Sequence, residues 1–210
     1  MNKKIPQSTV RRLSHYLRSL EGFAKSGATV SSEELAAWGQ TTAAQVRKDL
    51  SHFGSFGKRG LGYQSEELRE RLRILLGINR SWRVALVGAG RIGLALFEYP
   101  AFRSRGYDCV AIFDSDPDKI GTAWGDQLIH SPENFEEVIK ERDVELIILA
   151  VPADAAQDLA RRAVSAGVQG ILNFAPIRLN VPAEVPVEDV NLVMELEALS
   201  FQITQGAHDV

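Results

Sequence analysis

Val87-Gly88-Ala89-Gly90-Arg91-Ile92-Gly93 decides the fold. It has the spacing G-x-G-x-x-G, directly after the apolar run Val84–Val87 and ahead of a helix-like segment to Phe97. The first glycine permits a tight turn, the second lets backbone approach a pyrophosphate, and the third lets the helix pack close to the strand. The N-terminus of that helix offers N–H groups to phosphates. Arg91 supports the pyrophosphate or simply faces solvent. Asp114 lies 21 residues beyond Gly93, at the end of the next apolar run, Cys109–Phe113. An acid there accepts hydrogen bonds from ribose hydroxyls and repels a 2′-phosphate, which points to NAD(H) over NADP(H). The alternative is a degenerate unit that uses its glycines only for packing.

The pattern continues toward the C-terminus. A helix from about Pro132 to Lys140, a strand over Leu146–Val151, a helix over Ala153–Ala166 and a strand over Gly170–Phe174 alternate as in a parallel α/β sheet. From Asn191 onward, Leu192, Val193, Leu196, Leu199 and Ile203 form a helical stripe with no strand after it. The sheet uses up the residues behind the glycine loop, so no substrate domain remains. None of the histidines (His15, His52, His130, His208) sits with an acid in a catalytic arrangement, and no spacing suggests a metal site. A chain that binds a dinucleotide without catalytic machinery binds it as a signal. We therefore expect no enzyme and no metal.

Toward the N-terminus the period is helical throughout. Val10, Leu13, Leu17 and Leu20 mark a first helix, and Ser31 and Ser32 ahead of Glu33 and Glu34 start a second that ends near Trp38. Thr41 and Thr42 cap a third, with Val46, Leu50 and Phe53 on one face. The stretch Gly54–Tyr63 predicts a β-hairpin, and a fourth helix spans about Ser65–Leu76. Helix, helix–turn–helix and hairpin is the order of a winged helix. The third helix is then the recognition helix, presenting Gln45, Arg47, Lys48 and Ser51 to the major groove. Lys58 and Arg59, at the hairpin tip, contact backbone or minor groove. A solvated basic helix on an adaptor gives the same pattern.

Charge supports the division. The first 80 residues carry 14 Lys and Arg against 7 Asp and Glu, whereas the other 130 carry 10 against 20. A basic block suits a polyanion such as DNA. The expected architecture is α/β: an N-terminal winged helix-turn-helix domain (1–80), a Rossmann NAD(H)-binding domain (81–190), and a C-terminal helix and tail (191–210). Hydrophobic residues make up 45% and charged residues 24%, as in soluble globular chains. There is no signal peptide and no span long enough for a bilayer. Cys109 has no partner for a disulfide and reads as a reduced core thiol, so the expected location is cytoplasmic.

Four stretches together resemble the family of redox-sensing transcriptional repressors Rex: Gln45-Val46-Arg47-Lys48-Asp49-Leu50-Ser51-His52-Phe53-Gly54, the wing through Gly57, Arg59, Gly60, Gly62 and Tyr63, the Val87–Gly93 loop, and Ile171-Leu172-Asn173-Phe174-Ala175-Pro176. The resemblance runs over nearly the whole chain. It implies a homodimer that binds a palindromic operator and is released by NADH, with NAD⁺ competing weakly. It implies a C-terminal helix, about Asn191–Gln205, swapped between subunits and packed between the partner's two domains. It places Tyr99, Pro152, Phe174 and Ala175 at the nicotinamide, and Val151 and Lys119 are counted with the same cofactor set. It also implies a polar switch of Arg12, Tyr99 and an aspartate whose position here is Asn191. Asparagine bonds a tyrosine but brings no charge to Arg12; Asp189 is the nearest carboxylate. A small NAD-dependent oxidoreductase and a CoA-binding ligase-like subunit are the competing functions, and neither needs the basic N-terminal block.

Overall fold

The computed structural model describes residues 5–23, 27–54 and 62–206. Two compact units divide the chain, Met1–Arg80 and Ser81–Val210.

In the first unit, helix α1 (Gln7–Phe23) buries Leu13, Tyr16, Leu17 and Leu20, which recur at helical spacing. Strand β1 (Thr29–Val30) leads to α2 (Ser32–Trp38). A capping box starts α2: the Ser31 hydroxyl accepts the Glu34 N–H at 3.1 Å, and the Glu34 carboxylate accepts the Ser31 N–H at 2.8 Å. Helix α3 (Ala43–Ser51) begins where Thr42 accepts the Gln45 N–H, and buries Val46 and Leu50. Strand β2 (Tyr63–Gln64) pairs antiparallel with β1, Val30 opposite Tyr63. Gly62, with φ +78°, precedes it; a Cβ there would lie 2.6 Å from the Val30 carbonyl oxygen. Helix α4 (Ser65–Leu75) packs on α1 through Leu68 and Leu72. The described end of the expected hairpin therefore pairs with β1, a strand too short to leave a sequence pattern. The expected tip residues Lys58 and Arg59 lie outside the described residues.

The second unit is built on a sheet of β3 (Trp82–Val87), β4 (Tyr107–Phe113), β5 (Ala123–Trp124), β6 (Gln127–His130), β7 (Leu146–Leu149), β8 (Gly170–Asn173) and β9 (Val187–Asp189), in the order β5-β6-β4-β3-β7-β8-β9. All pairings are parallel except β5 with β6. From β3 the chain works outward through β4 to β6, then returns to lay β7 on the other side of β3. That reversal is the switch point at which doubly wound sheets bind ligands, and the order is that of the Rossmann fold. Helices α7 (Phe135–Glu141) and α8 (Ala153–Ala166) cover one face over Ala85, Val87, Phe113, Ile147 and Leu149. On the other face Val84, Leu86, Ile112 and Ile148 are buried with help from Phe97 and Phe102. Burial on both faces is why β3 reads as an unbroken apolar run.

Helices α5 (Arg91–Phe97) and α6 (Pro100–Ser104) are short. Beside α6 the sheet is open, leaving an apolar groove of about 1220 Å³ floored by Leu146, Ile148 and Leu172. Helix α9 (Leu192–Gly206) closes the described chain, and its apolar side chains are exposed. No helix among the described residues is long and apolar enough to cross a membrane.

Candidate nucleotide site and DNA-facing helix

The strand ends at the switch point hold the glycine loop. Gly88 turns at φ +102°, and a Cβ on it would sit 2.3 Å from the Ala150 carbonyl oxygen. A Cβ on Gly93 would lie 2.0 Å from the Gly88 carbonyl oxygen, so the first turn of α5 rests on the loop backbone. Gly90 is different: no heavy atom lies within 4 Å of where its Cβ would be. Two glycines are thus required by protein packing, and the middle one guards open space, as an approaching pyrophosphate needs. Gly90 is also the N-cap of α5, whose first turn no side chain caps. Arg91 and Ile92 are exposed at that end, while Ala89 is buried.

Asp114 stands beside the loop. Its Oδ2 accepts the Ala89 N–H at 2.7 Å and the Lys119 ammonium at 3.3 Å; its Oδ1 accepts the Asp116 N–H at 2.8 Å. A carboxylate offers about four lone-pair sites, so acceptor capacity remains for ribose hydroxyls. Desolvation opposes the charge on Lys119, but its bonds to Asp114 and Asp116 raise its pKa. Val151 is near the turn, with its Cγ1 3.1 Å from the Cβ position of Gly88. Pro152 is the N-cap residue of α8. The Phe174 N–H bonds the Leu149 carbonyl, and the Ala175 N–H bonds the Asn173 side chain. Loop, acid, Val151, Phe174 and Ala175 therefore sit at the C-terminal ends of β3, β4, β7 and β8. Tyr99 is half exposed at the start of α6, edge-on to Phe102, and lines the apolar groove.

Cys109 is half-buried, and burial pushes its thiol up to about 11, so it stays protonated. Among the described residues no cluster of His, Cys, Asp or Glu could hold a metal.

In the first unit, α3 presents Lys48 and Ser51 to solvent. The Arg47 guanidinium is exposed but leans on α2, donating to the Ser32 hydroxyl at 2.7 Å and pairing with Glu33 at 3.4 Å. Gln45 is half-buried, and its amide donates to Asp49 at 2.8 Å. Asp49 is a residue that sequence reasoning missed. It is fully buried on α3 and accepts from Arg12, Tyr16, Thr9 and Gln45. An acid one residue before buried Leu50 was the available signal, since buried carboxylates require partners. The three expected switch residues each have local partners. Arg12 pairs with Asp49, Tyr99 meets Phe102 edge-on, and Asn191 accepts the Val193 and Met194 N–H groups, capping α9. Asp189 accepts from Asn173.

Comparison with known proteins follows the same two units. The profile "CoA binding domain" matches residues 79–177, and "Putative DNA-binding protein N-terminus" matches residues 4–51. The chain is 49% identical over 201 residues to the redox-sensing transcriptional repressor Rex of Carboxydothermus hydrogenoformans, covering 95% of this chain and 97% of that one. The family is thereby decided. This chain belongs to the redox-sensing transcriptional repressor Rex family. A Rex of Thermotoga maritima is 42% identical, covering 98% and 99% of the two chains. Two solved structures of RSP, a Rex-family repressor, match at 34–35% identity and cover 98% of this chain. One, in complex with NADH, has a TM-score of 0.87 and is covered to 97%; the other, with NAD⁺ and operator DNA, has 0.91 and is covered to 95%. Each of these relatives is named for sensing redox state and repressing transcription.

Proposed function

We propose that this chain is an NADH-responsive repressor that binds operator DNA as a homodimer and releases it when NADH binds. The observation that carries the nucleotide half is the open space over Gly90 beside Asp114, at the switch point of a Rossmann sheet. The nucleotide lies across the loop with its pyrophosphate at Gly90 and the N-terminus of α5, Arg91 alongside, and its adenosine ribose on Asp114. Lys119 steadies Asp114. The nicotinamide lies toward Val151, Pro152, Phe174 and Ala175, with Tyr99 contributed at the subunit boundary. Those side chains are apolar apart from the tyrosine hydroxyl. An apolar surround favours the neutral reduced ring over the cationic oxidised one, because burying an unpaired charge is costly.

The DNA half rests on α3, with Lys48 exposed toward the major groove, Ser51 exposed while its hydroxyl donates to the Lys48 carbonyl at 2.7 Å, and Arg47 able to leave its weak surface pair. Lys58 and Arg59 extend the contact. Helix α9 supports the homodimer. It is apolar on more than one side: Leu192, Leu196, Leu199 and Ile203 share a stripe, while Met194 and Phe201 lie away from it, all more than half exposed. Large apolar side chains exposed on two sides of one helix call for cover from another chain. Swapped onto the partner subunit, it gains that cover. Exposed Ile92 and Leu94 on α5 and the open groove beside α6 add apolar surface to the same boundary. The chain binds the nucleotide as a signal without turning it over, and works in the cytoplasm with its operator.

Titration with NADH and NAD⁺, followed by nucleotide fluorescence and competition, tests the nucleotide half: NADH binds far more tightly, and Asp114→Ala weakens it. Equal affinities, or an unchanged Asp114→Ala, would contradict it. Light scattering on the full chain and on a chain ending at Val190 tests the dimer; a shortened chain that remains fully dimeric would contradict the role of α9.

A further inference from the structure

Asn173 opens the Asn-Phe-Ala-Pro segment and is fully buried. Its Oδ1 accepts the Ala175 N–H at 3.0 Å. Its Nδ2 donates to the Ile177 carbonyl and to Asp189 Oδ1, both at 2.8 Å. Its backbone carbonyl accepts the Val190 N–H at 2.8 Å. A buried amide satisfied on every side is held in one arrangement, and so are the segments it binds.

Those segments are two. One is the turn after β8, which carries Phe174 and Ala175. The other is Asp189-Val190-Asn191, where β9 ends and Asn191 caps α9. The pairing of β8 with β9 ends at Asn173 and Asp189. Ladder ends fray readily, but here a side-chain bond closes the last rung. Helix α9 therefore starts three residues after a fixed point, Asp189, that is tied to the nucleotide-side turn.

We propose that Asn173 is a positioning residue that joins the nucleotide-side turn to the root of α9, through Asp189. A change of occupant at Phe174 and Ala175 then turns α9 with it, and α9 reports nucleotide state to the rest of the dimer. This rests on the proposed function, in which those residues meet the nicotinamide and α9 packs on the partner. Coupling of this kind is a free energy between two sites, and it is lost when the link is cut even if both sites survive.

Asp189→Ala removes the side-chain arm to α9 and leaves in place the bonds of Asn173 to Ala175 and Ile177 and its backbone bond to Val190. Asp189 is exposed, so its removal otherwise behaves as a surface substitution. The experiment uses the full chain and a DNA duplex that the wild type selects from a random-sequence pool. It measures NADH affinity, duplex affinity, and the NADH concentration that releases half of the duplex. Asp189→Ala should hold both separate affinities within about twofold, and raise the releasing concentration about tenfold, within the usual range of coupling between sites. Asp189→Asn, whose amide oxygen still accepts from Asn173, should behave as the wild type. Release of Asp189→Ala at the wild-type NADH concentration would overturn the proposal. So would loss of its NADH affinity, since Asp189 would then support the pocket instead of linking it. A wild type whose selected duplex NADH cannot release fails the functional reading itself, a result distinguishable from either.

Discussion

The Arg12 guanidinium straddles the Asp49 carboxylate, with Nε 2.6 Å from one oxygen and Nη2 2.8 Å from the other. The pair ties α1 to α3, the helix that carries Lys48 and Ser51. Tyr16 adds a bond at 3.1 Å and Gln45 one at 2.8 Å, so the position of the recognition helix depends on a buried charge. Arg12→Ala leaves that carboxylate buried and unpaired, and should destabilise the N-terminal unit by about 3 kcal/mol in denaturant unfolding. Burial pushes the Asp49 carboxyl up, but its bonds from Arg12, Gln45 and Tyr16 outweigh this and hold it below the usual range. A depressed folded value means stability present above the unfolded aspartate value and lost as pH falls through the folded one. Asp49→Asn should remove that acid-side dependence; an unchanged pH profile would count against the pair.

The glycines of the loop predict opposite phenotypes. Gly93→Ala drives a Cβ into the Gly88 carbonyl and should cost roughly 1–3 kcal/mol of stability, as overpacking does. Gly90→Ala meets nothing in the protein, so stability should stay within about 0.5 kcal/mol. The same methyl occupies the pyrophosphate's path, and NADH affinity should fall about tenfold or more, at 1.4 kcal/mol per decade. Thermal melts and nucleotide titrations on the two variants separate these effects. A Gly90→Ala chain that melts early and binds NADH normally would reverse the assignment.

Arg162 joins α8 to α7 through a forked contact with Glu136, at 2.5 and 2.7 Å, and bonds the Pro132 carbonyl. That fork lowers the Glu136 carboxyl from 4.5 to about 2. Its contribution to stability is complete above 4.5 and disappears as pH falls toward 2. The group is partly exposed, so solvent screening keeps the contribution modest. Glu136→Gln should flatten the acid limb of the Rossmann unit's stability curve. Parallel curves for the variant and the wild type would show the fork to be idle.

Lys48 is free of ion pairs among the described residues, whereas Arg47 must leave Ser32 and Glu33 to reach DNA. Lys48→Ala should weaken binding to all sequences alike and lower the salt slope by about 0.9 for each phosphate that the lysine had neutralised. The double change Arg47→Ala, Lys48→Ala should abolish DNA binding and leave NADH affinity intact. Retained operator affinity in the double variant would move the recognition surface elsewhere.

Much of this was legible in the chain because local signals were strong. Ala153–Ala166 is a helix with the bounds its pattern predicts, and the loop, the acid at 114 and the caps at Ser31 and Thr42 stand where spacing put them. Strands β1, β5 and β9 were missed because two or three residues carry no usable period. That the Gln45 amide bonds Asp49 was not legible, for a tertiary reason. Its helical position is equally compatible with solvent and with Asp49, and only the placement of Arg12 and Tyr16 on another helix settles which. The bond between Asn173 and Asp189 was invisible for the same reason, since 16 residues separate two side chains that the sheet brings to 2.8 Å.

The central claim is that NADH and DNA compete through one protein. An electrophoretic shift with a selected duplex, at one fixed salt concentration and with the NADH to NAD⁺ ratio varied at constant total nucleotide, tests it most directly. The duplex should be bound when NAD⁺ dominates and released as the ratio rises, with Asp114→Ala still bound at ratios that free the wild type. A complex indifferent to the ratio, or no sequence-selective complex at all, would contradict the account.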